Sequence, residues 1–249
     1  GLLDATRVEQ LRDAVEAVLG SLSAHGNEYA KPGEARFAQD MFMAQRLDAA
    51  GDTFRGLVHD SAMAEAAGLL MGSRNVRFFY DQMFVKEPGS VAPTPWHQDL
   101  PYWPLRGDQI CGVWCPLDPV DLDSGAVQYV RGSHRAGLWY RPQHFGGATG
   151  YAGASGAVMP DIEATVPAED LLSWVLEPGD AIVFHGLVIH GASGNRSAQR
   201  RRRAVSLRWL GDDAVFDDRP GTYPFDVKGQ VPGCPMTGPL YPQVWSRRG

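Results

Sequence analysis

Two hydrophobic rhythms divide the chain near residue 75. Before that point apolar residues return every three or four positions. Val8, Leu11, Val15, Val18 and Leu22 fall on one helical face, the spacing that stacks side chains on successive turns. Thr6-Arg7-Val8-Glu9 has the form of a capping box, and Gly20 can close that helix. Two further helices are predicted over residues 34–50 and 61–71, with Gly51 and Gly72 as stops. After residue 75 the rhythm changes to short β-rich runs over 76–86, 109–117, 126–130, 181–190 and 202–210, separated by Gly, Pro and Asp turn signals. Helices first and many short strands afterwards predict a mainly β, jelly-roll double sheet buttressed by N-terminal helices.

With no internal repeat and no linker, the expected organisation is a single domain over 1–249. It comprises a helical buttress to about residue 74, a β core over 75–211 and a C-terminal tail over 212–249. Residues 143–170 have no periodicity and are rich in Gly and Ala between 146 and 156. A loop of that length in a compact domain is commonly functional, and a lid over a substrate opening is the expectation here.

Composition narrows the function classes. An apolar fraction of 44% over 249 residues is near the globular average and argues against disorder. No run approaches the ~20 apolar residues of a membrane span, and the first residues lack the layout of a signal peptide, so a cytoplasmic protein with no membrane partner is expected. The formal net charge of -6 argues against nucleic acid, because the one basic run, Arg200-Arg201-Arg202-Arg203, sits within a strand pattern. Three cysteines suggest reduced thiols, and Cys111 and Cys115 read as small buried hydrophobes rather than a metal clip.

The candidate chemistry starts at His97-Gln98-Asp99, within Pro95-Trp96-His97-Gln98-Asp99-Leu100-Pro101-Tyr102-Trp103. Two residues apart on an extended segment, the imidazole and the carboxylate point to one side and can share a metal ion. A second histidine on a distant predicted strand, His190 or His185, would complete the 2-His-1-carboxylate set of non-haem Fe(II) oxygenases. Those two lie five apart, on opposite faces of a continuous strand, so only one can serve.

Several further motifs occur in a fixed order: Gly112-Val113-Trp114, Ser124-Gly125, Arg131-Gly132-Ser133-His134, Glu177-Pro178-Gly179-Asp180, His190-Gly191-Ala192-Ser193-Gly194-Asn195 and Arg202-Arg203-Ala204-Val205-Ser206. Together with the His97 segment they resemble the phytanoyl-CoA dioxygenase family of Fe(II)/2-oxoglutarate oxygenases. The departures are Arg131, where that family usually has Pro, and an arginine segment one residue longer. The resemblance implies a cupin-like double-stranded β-helix, Fe(II) held by His97, Asp99 and His190, and 2-oxoglutarate and O2 as co-substrates. It also implies an arginine that grips the far carboxylate of 2-oxoglutarate, a task suited to the planar guanidinium fork. Strand alternation places Arg202, Ala204, Ser206 and Arg208 on the inner face, favouring Arg202 over Arg201. Trp114 and Gln82 are expected beside the co-substrate, and Tyr102, Trp103 and Arg208 near a small-molecule substrate. The implied reaction is hydroxylation with release of succinate and CO2. Asp99 argues against a halogenase, which needs a small residue there. A non-catalytic metal-binding jelly roll and an O2-independent cupin-type isomerase are the alternatives. Oligomeric state and substrate identity are not legible.

Overall fold

The computed structural model describes residues 1–145 and 150–247. In chain order its strands are β1 (Asn27–Glu28), β2 (Phe37–Met41), β3 (Asn75–Lys86), β4 (Thr94–His97), β5 (Leu105–Arg106), β6 (Ile110–Pro116), β7 (Val127–Val130), β8 (Leu171–Leu172), β9 (Ile182–His185), β10 (His190–Ala192), β11 (Arg202–Leu210), β12 (Val215–Phe216) and β13 (Gln243–Ser246). The α-helices are α1 (Ala5–Leu19), α2 (Ala49–Asp60), α3 (Met63–Met71) and the single turn α4 (Ile162–Thr165).

The major antiparallel sheet runs β1-β2-β3-β11-β6-β9, with β13 also paired to β3. A second sheet runs β4-β10-β7-β8, and β12 pairs with β5. The two larger sheets pack through Trp114, Phe184 and Ala204 on one side and Val127, Tyr129 and Ala192 on the other, the layered arrangement of a jelly roll. Gly112 is required where the layers are tightest, since a Cβ there would come within 2.5 Å of the Phe184 ring.

Strand β11 shows how period-two patterning builds both sides of the major sheet. Val205, Leu207 and Trp209 join Met83, Val85, Val113 and Cys115 in the core against α1 and α2, where Leu11, Val15, Phe54 and Leu57 lie fully buried. Each such aliphatic or aromatic side chain contributes roughly 1.5–3 kcal/mol by leaving water. The alternate positions Arg202, Ser206 and Arg208 face a cavity between the sheets. The inner face is therefore polar only because the fold gives those groups a cavity.

The structure departs from the periodicity in several places. Helix α1 is capped by Asp4, whose carboxylate accepts the Arg7 N–H at 2.8 Å, and not by Thr6. Residues 34–50 are not a helix. Their Ala, Met and Gln favour helix locally, but Phe37–Met41 pairs with β3 from Phe37 opposite Lys86 to Met41 opposite Gln82. Phe42 then takes a left-handed φ of 65° and turns the chain towards α2, which starts only at Ala49, with Asp48 as its cap. Gly51 accordingly sits in the first turn of α2 instead of ending a helix. The expected strand over 181–190 is two strands, β9 in the major sheet and β10 in the minor one, joined by a turn at Gly186 to Ile189.

The expected C-terminal tail is part of the body: Phe225, Met236 and Tyr241 bury against Phe79, Tyr80 and Trp103. Of the expected lid, residues 146–149 lie outside the described residues. The remainder is anchored by bridges from Gln143 to Gly150 and Tyr140 to Ala157, and Ile162 packs on Val130 and Ile189.

Candidate metal and co-substrate site

Strands β4 and β10 pair antiparallel with His97 directly opposite His190, so two imidazoles from segments distant in sequence project from neighbouring backbones. Strand β4 ends at His97, and Asp99 lies in an α-like conformation that opens a 3-10 turn over Leu100–Tyr102. His97 and Asp99 thus meet across a bend, not along one extended strand. Gln98 holds the bend. Its amide donates to the Leu138 and Leu187 carbonyls at 3.0 and 2.9 Å, and its carbonyl accepts the Tyr140 N–H at 3.0 Å.

The three side chains converge. Asp99 Oδ1 lies 3.3 Å from His97 Nε2 and 3.7 Å from His190 Nε2, and one ligand atom from each residue falls within 4.8 Å of the others. Each imidazole is oriented from behind. His97 Nδ1 lies 2.8 Å from the Pro95 carbonyl and His190 Nδ1 3.0 Å from the Val188 carbonyl. A carbonyl can only accept, so each Nδ1 carries a proton and each Nε2 is turned towards Asp99. Burial depresses His190, to about 3, with His97 adding to the effect. Burial would raise the Asp99 carboxyl, but Arg208 and the two imidazoles outweigh it and hold the group well below the usual carboxylate range. Two imidazole nitrogens and one carboxylate oxygen form the donor set that suits Fe(II) and leaves other positions open.

Arg208 meets the other Asp99 oxygen at 3.5 Å, donates to the Ser206 carbonyl at 3.0 Å and lies over the Tyr80 ring at 4.8 Å. It therefore contacts the triad carboxylate. Arg202 sits six residues earlier on the same face. It is 2% exposed, donates to the Gly125 carbonyl at 3.1 Å, and has a buried Nε without a partner among the described residues. Gly125 presents that carbonyl from a φ of 84°, in the left-handed region that favours glycine. Burial pulls Arg202 down to about 10. Trp114 lies 5.8 Å from its guanidinium, and Gln82, Ser206 and Trp114 form one cross-strand row through β3, β11 and β6. The Ser206 and Tyr129 hydroxyls, on the same cavity wall, are also buried without partners. Arg201 points outward and pairs with Glu16 and Glu87.

The cavity has a volume of about 380 Å³ and joins the triad to Arg202. Tyr102 stands at its mouth, its hydroxyl bonded to the Gln143 backbone. Trp103 forms part of the floor, 1% exposed and donating to the Tyr80 hydroxyl at 3.1 Å. His185 is turned away from the triad, its Nδ1 accepting the Leu187 N–H at 3.0 Å and its ring beside His134.

Sequence reasoning missed several cavity residues. His25, Tyr29, His144, Tyr223 and Phe225 all reach the wall. They come from segments with no motif, two of them from the expected tail, and only the tertiary fold assembles them. Among the described residues no helix is long and apolar enough to cross a membrane.

Comparison with known proteins agrees with this geometry. The family model for phytanoyl-CoA dioxygenase (PhyH) matches residues 1–204. The human peroxisomal phytanoyl-CoA dioxygenase is 29% identical over 163 residues, which are 64% of this chain and 46% of that protein. The chain thus spans about half the length of the curated relatives it matches. Among solved structures, the non-heme alpha ketoglutarate dependent carbocyclase SnoK from nogalamycin biosynthesis superposes with a TM-score of 0.73 at 24% identity, covering 98% of this chain and 89% of that one. The epimerase SnoN, in complex with Fe3+, alpha ketoglutarate and nogalamycin RO, gives 0.72 at 23%, covering 98% and 92%. These two likenesses establish the jelly-roll fold. The family match and the buried His97, Asp99 and His190 cluster lead to one assignment: the chain belongs to the phytanoyl-CoA dioxygenase family of Fe/2-oxoglutarate-dependent oxygenases, which work with iron, 2-oxoglutarate and O2.

Proposed function

We propose that this chain is a single-domain Fe(II)/2-oxoglutarate-dependent dioxygenase that hydroxylates a small organic molecule, releasing succinate and CO2. The observation that carries the reading is the pairing of two unfinished sites in one cavity. One is a set of three ligand atoms within 4.8 Å, and the other is a buried guanidinium with an unpartnered donor.

In this reading His97, Asp99 and His190 hold Fe(II), and bound iron with 2-oxoglutarate and O2 supplies an oxidant for an otherwise inert C–H bond. The protein's own groups do the positioning. Arg202 takes the far carboxylate of the co-substrate, with Trp114 packing alongside and Ser206, Tyr129 and Gln82 offering hydrogen bonds. The Pro95 and Val188 carbonyls hold both imidazoles with Nε2 turned to the metal position. Arg208 keeps Asp99 ionised and fixes which of its oxygens faces the histidines. Tyr102 admits substrate at the mouth, and the buried floor around Trp103 keeps water out. Asp99 occupies the position that a halide would need, which favours hydroxylation even in high chloride.

The test is mass spectrometry of the organic product formed under 18O2 in chloride buffer, with succinate measured alongside. One labelled oxygen per turnover is expected. A chlorinated product, or an isomer of unchanged mass, would overturn hydroxylation, and turnover without iron would overturn the oxygenase reading.

A further inference from the structure

The mouth of the cavity is built differently from its floor. Among the described residues, the charged side chains on the cavity wall are Asp99, Arg202 and Arg208, each no more than 5% exposed and each occupied at the triad or the co-substrate end. Towards the surface the wall becomes aromatic. Tyr102 meets Tyr151 edge-on at 5.8 Å, and His144 lies against Tyr151 at 4.1 Å. On another part of the wall Tyr223 lies 5.2 Å from Phe225. The polar groups here are imidazoles, phenols and amides. His25 Nδ1 and the Tyr223 hydroxyl are 2.8 Å apart, and Gln82 donates to Gln39 at 2.7 Å, which in turn reaches the Tyr29 hydroxyl.

We infer that the substrate is an uncharged, flat, ring-bearing molecule carrying hydroxyl or carbonyl groups, and not an acyl-CoA thioester; this rests on the oxygenase reading above. Aromatic faces and edges at a mouth favour a planar ring, which they contact by offset stacking or edge-on packing. Tyrosine hydroxyls and glutamine amides supply donors and acceptors for its oxygen substituents. A coenzyme A ester brings several phosphate charges, which proteins meet with arginine forks or clustered lysines. Among the described residues, the wall of an adjoining pocket holds one arginine, the exposed Arg141, and no lysine.

Calorimetry on the anaerobic protein loaded with Fe(II) and 2-oxoglutarate tests this. The probes are uncharged multi-ring compounds each paired with its sulfate ester, such as estradiol and estradiol 3-sulfate, with decanoyl-CoA as the thioester. The uncharged member of at least one pair should bind tenfold or more tightly than its sulfate, and decanoyl-CoA should bind weakest. Tyr151→Ala should weaken the preferred probe by roughly three- to tenfold, the scale of one lost aromatic pair, without changing 2-oxoglutarate affinity. Tighter binding of decanoyl-CoA than of any uncharged probe, or no preference within any pair, overturns the inference while the oxygenase reading stands. Failure of 2-oxoglutarate itself to bind in the same calorimeter overturns both.

Discussion

Arg208 and Arg202 occupy the same face of one strand, six residues apart, and are almost equally buried, yet their surroundings are opposite. Arg208 has a carboxylate, Asp99, at 3.5 Å and an aromatic ring beneath it. Arg202 has one backbone carbonyl, no hydrogen-bonded carboxylate, and Lys86 directly opposite on β3. Lys86 is also buried, and its ammonium donates to the Ser193 carbonyl at 2.6 Å. One end of the cavity thus pairs its guanidinium with a carboxylate, and at the other end the Arg202 guanidinium meets a backbone carbonyl. Burying a charge without a partner is costly. In the proposed function the contrast makes Arg208 a brace for Asp99 and Arg202 the receptor for the co-substrate carboxylate.

The largest expected effect is at the brace. Arg208→Leu leaves the Asp99 carboxylate buried without its guanidinium, and such broken pairs typically cost about 3–5 kcal/mol. Thermal denaturation of the metal-free protein should show a large drop in Tm. An unchanged Tm would mean that the 3.5 Å contact contributes little.

At the receptor the same substitution should act on ligand and not on fold. Arg202→Leu removes a charged hydrogen bond worth roughly 1.5–3 kcal/mol, so the 2-oxoglutarate requirement should rise about ten- to more than a hundredfold. The Tm of the ligand-free protein should hold or increase. Equal affinity in this variant, with Arg201→Leu impaired instead, would move the role one position along the strand.

A finer test uses pH. Lys86 is depressed to about 6 from its ordinary 10.5, first by burial and then by Arg202. Between those values the unfolded chain binds more protons than the folded one, so the stability of the protein with Lys86 rises with pH. Lys86→Met should therefore stabilise the ligand-free protein most near pH 6, with the advantage shrinking towards pH 10. A gain independent of pH would show that the Lys86 ammonium is not held near neutral deprotonation.

The comparison also explains what could be read from the chain. The alternation over 202–210 fixed which side of β11 faces the cavity, because period-two patterning survives any sheet topology. The jelly-roll class was readable from the order of elements, helices first and many short strands afterwards. Residues 34–50 misled because helix propensity is a local quantity, whereas pairing of Phe37–Met41 with β3 is a tertiary one. The run over 181–190 hid its break between sheets, since both halves are apolar and only the turn at Gly186 separates them. That break frees His185 and His190 from any shared strand, so their five-residue spacing could not decide between them. The aromatic mouth was invisible: Tyr29, Tyr151 and Tyr223 lie far apart in sequence and share no spacing with the triad.

The central claim is that His97, Asp99 and His190 form the iron site with 2-oxoglutarate bound beside it. Anaerobic titration of Fe(II) and 2-oxoglutarate, followed by visible absorption, tests it most directly. The account predicts a weak metal-to-ligand charge-transfer band in the wild-type protein that persists in His185→Ala and is lost in His190→Ala and His97→Ala. Retention of the band in His190→Ala together with its loss in His185→Ala would contradict it.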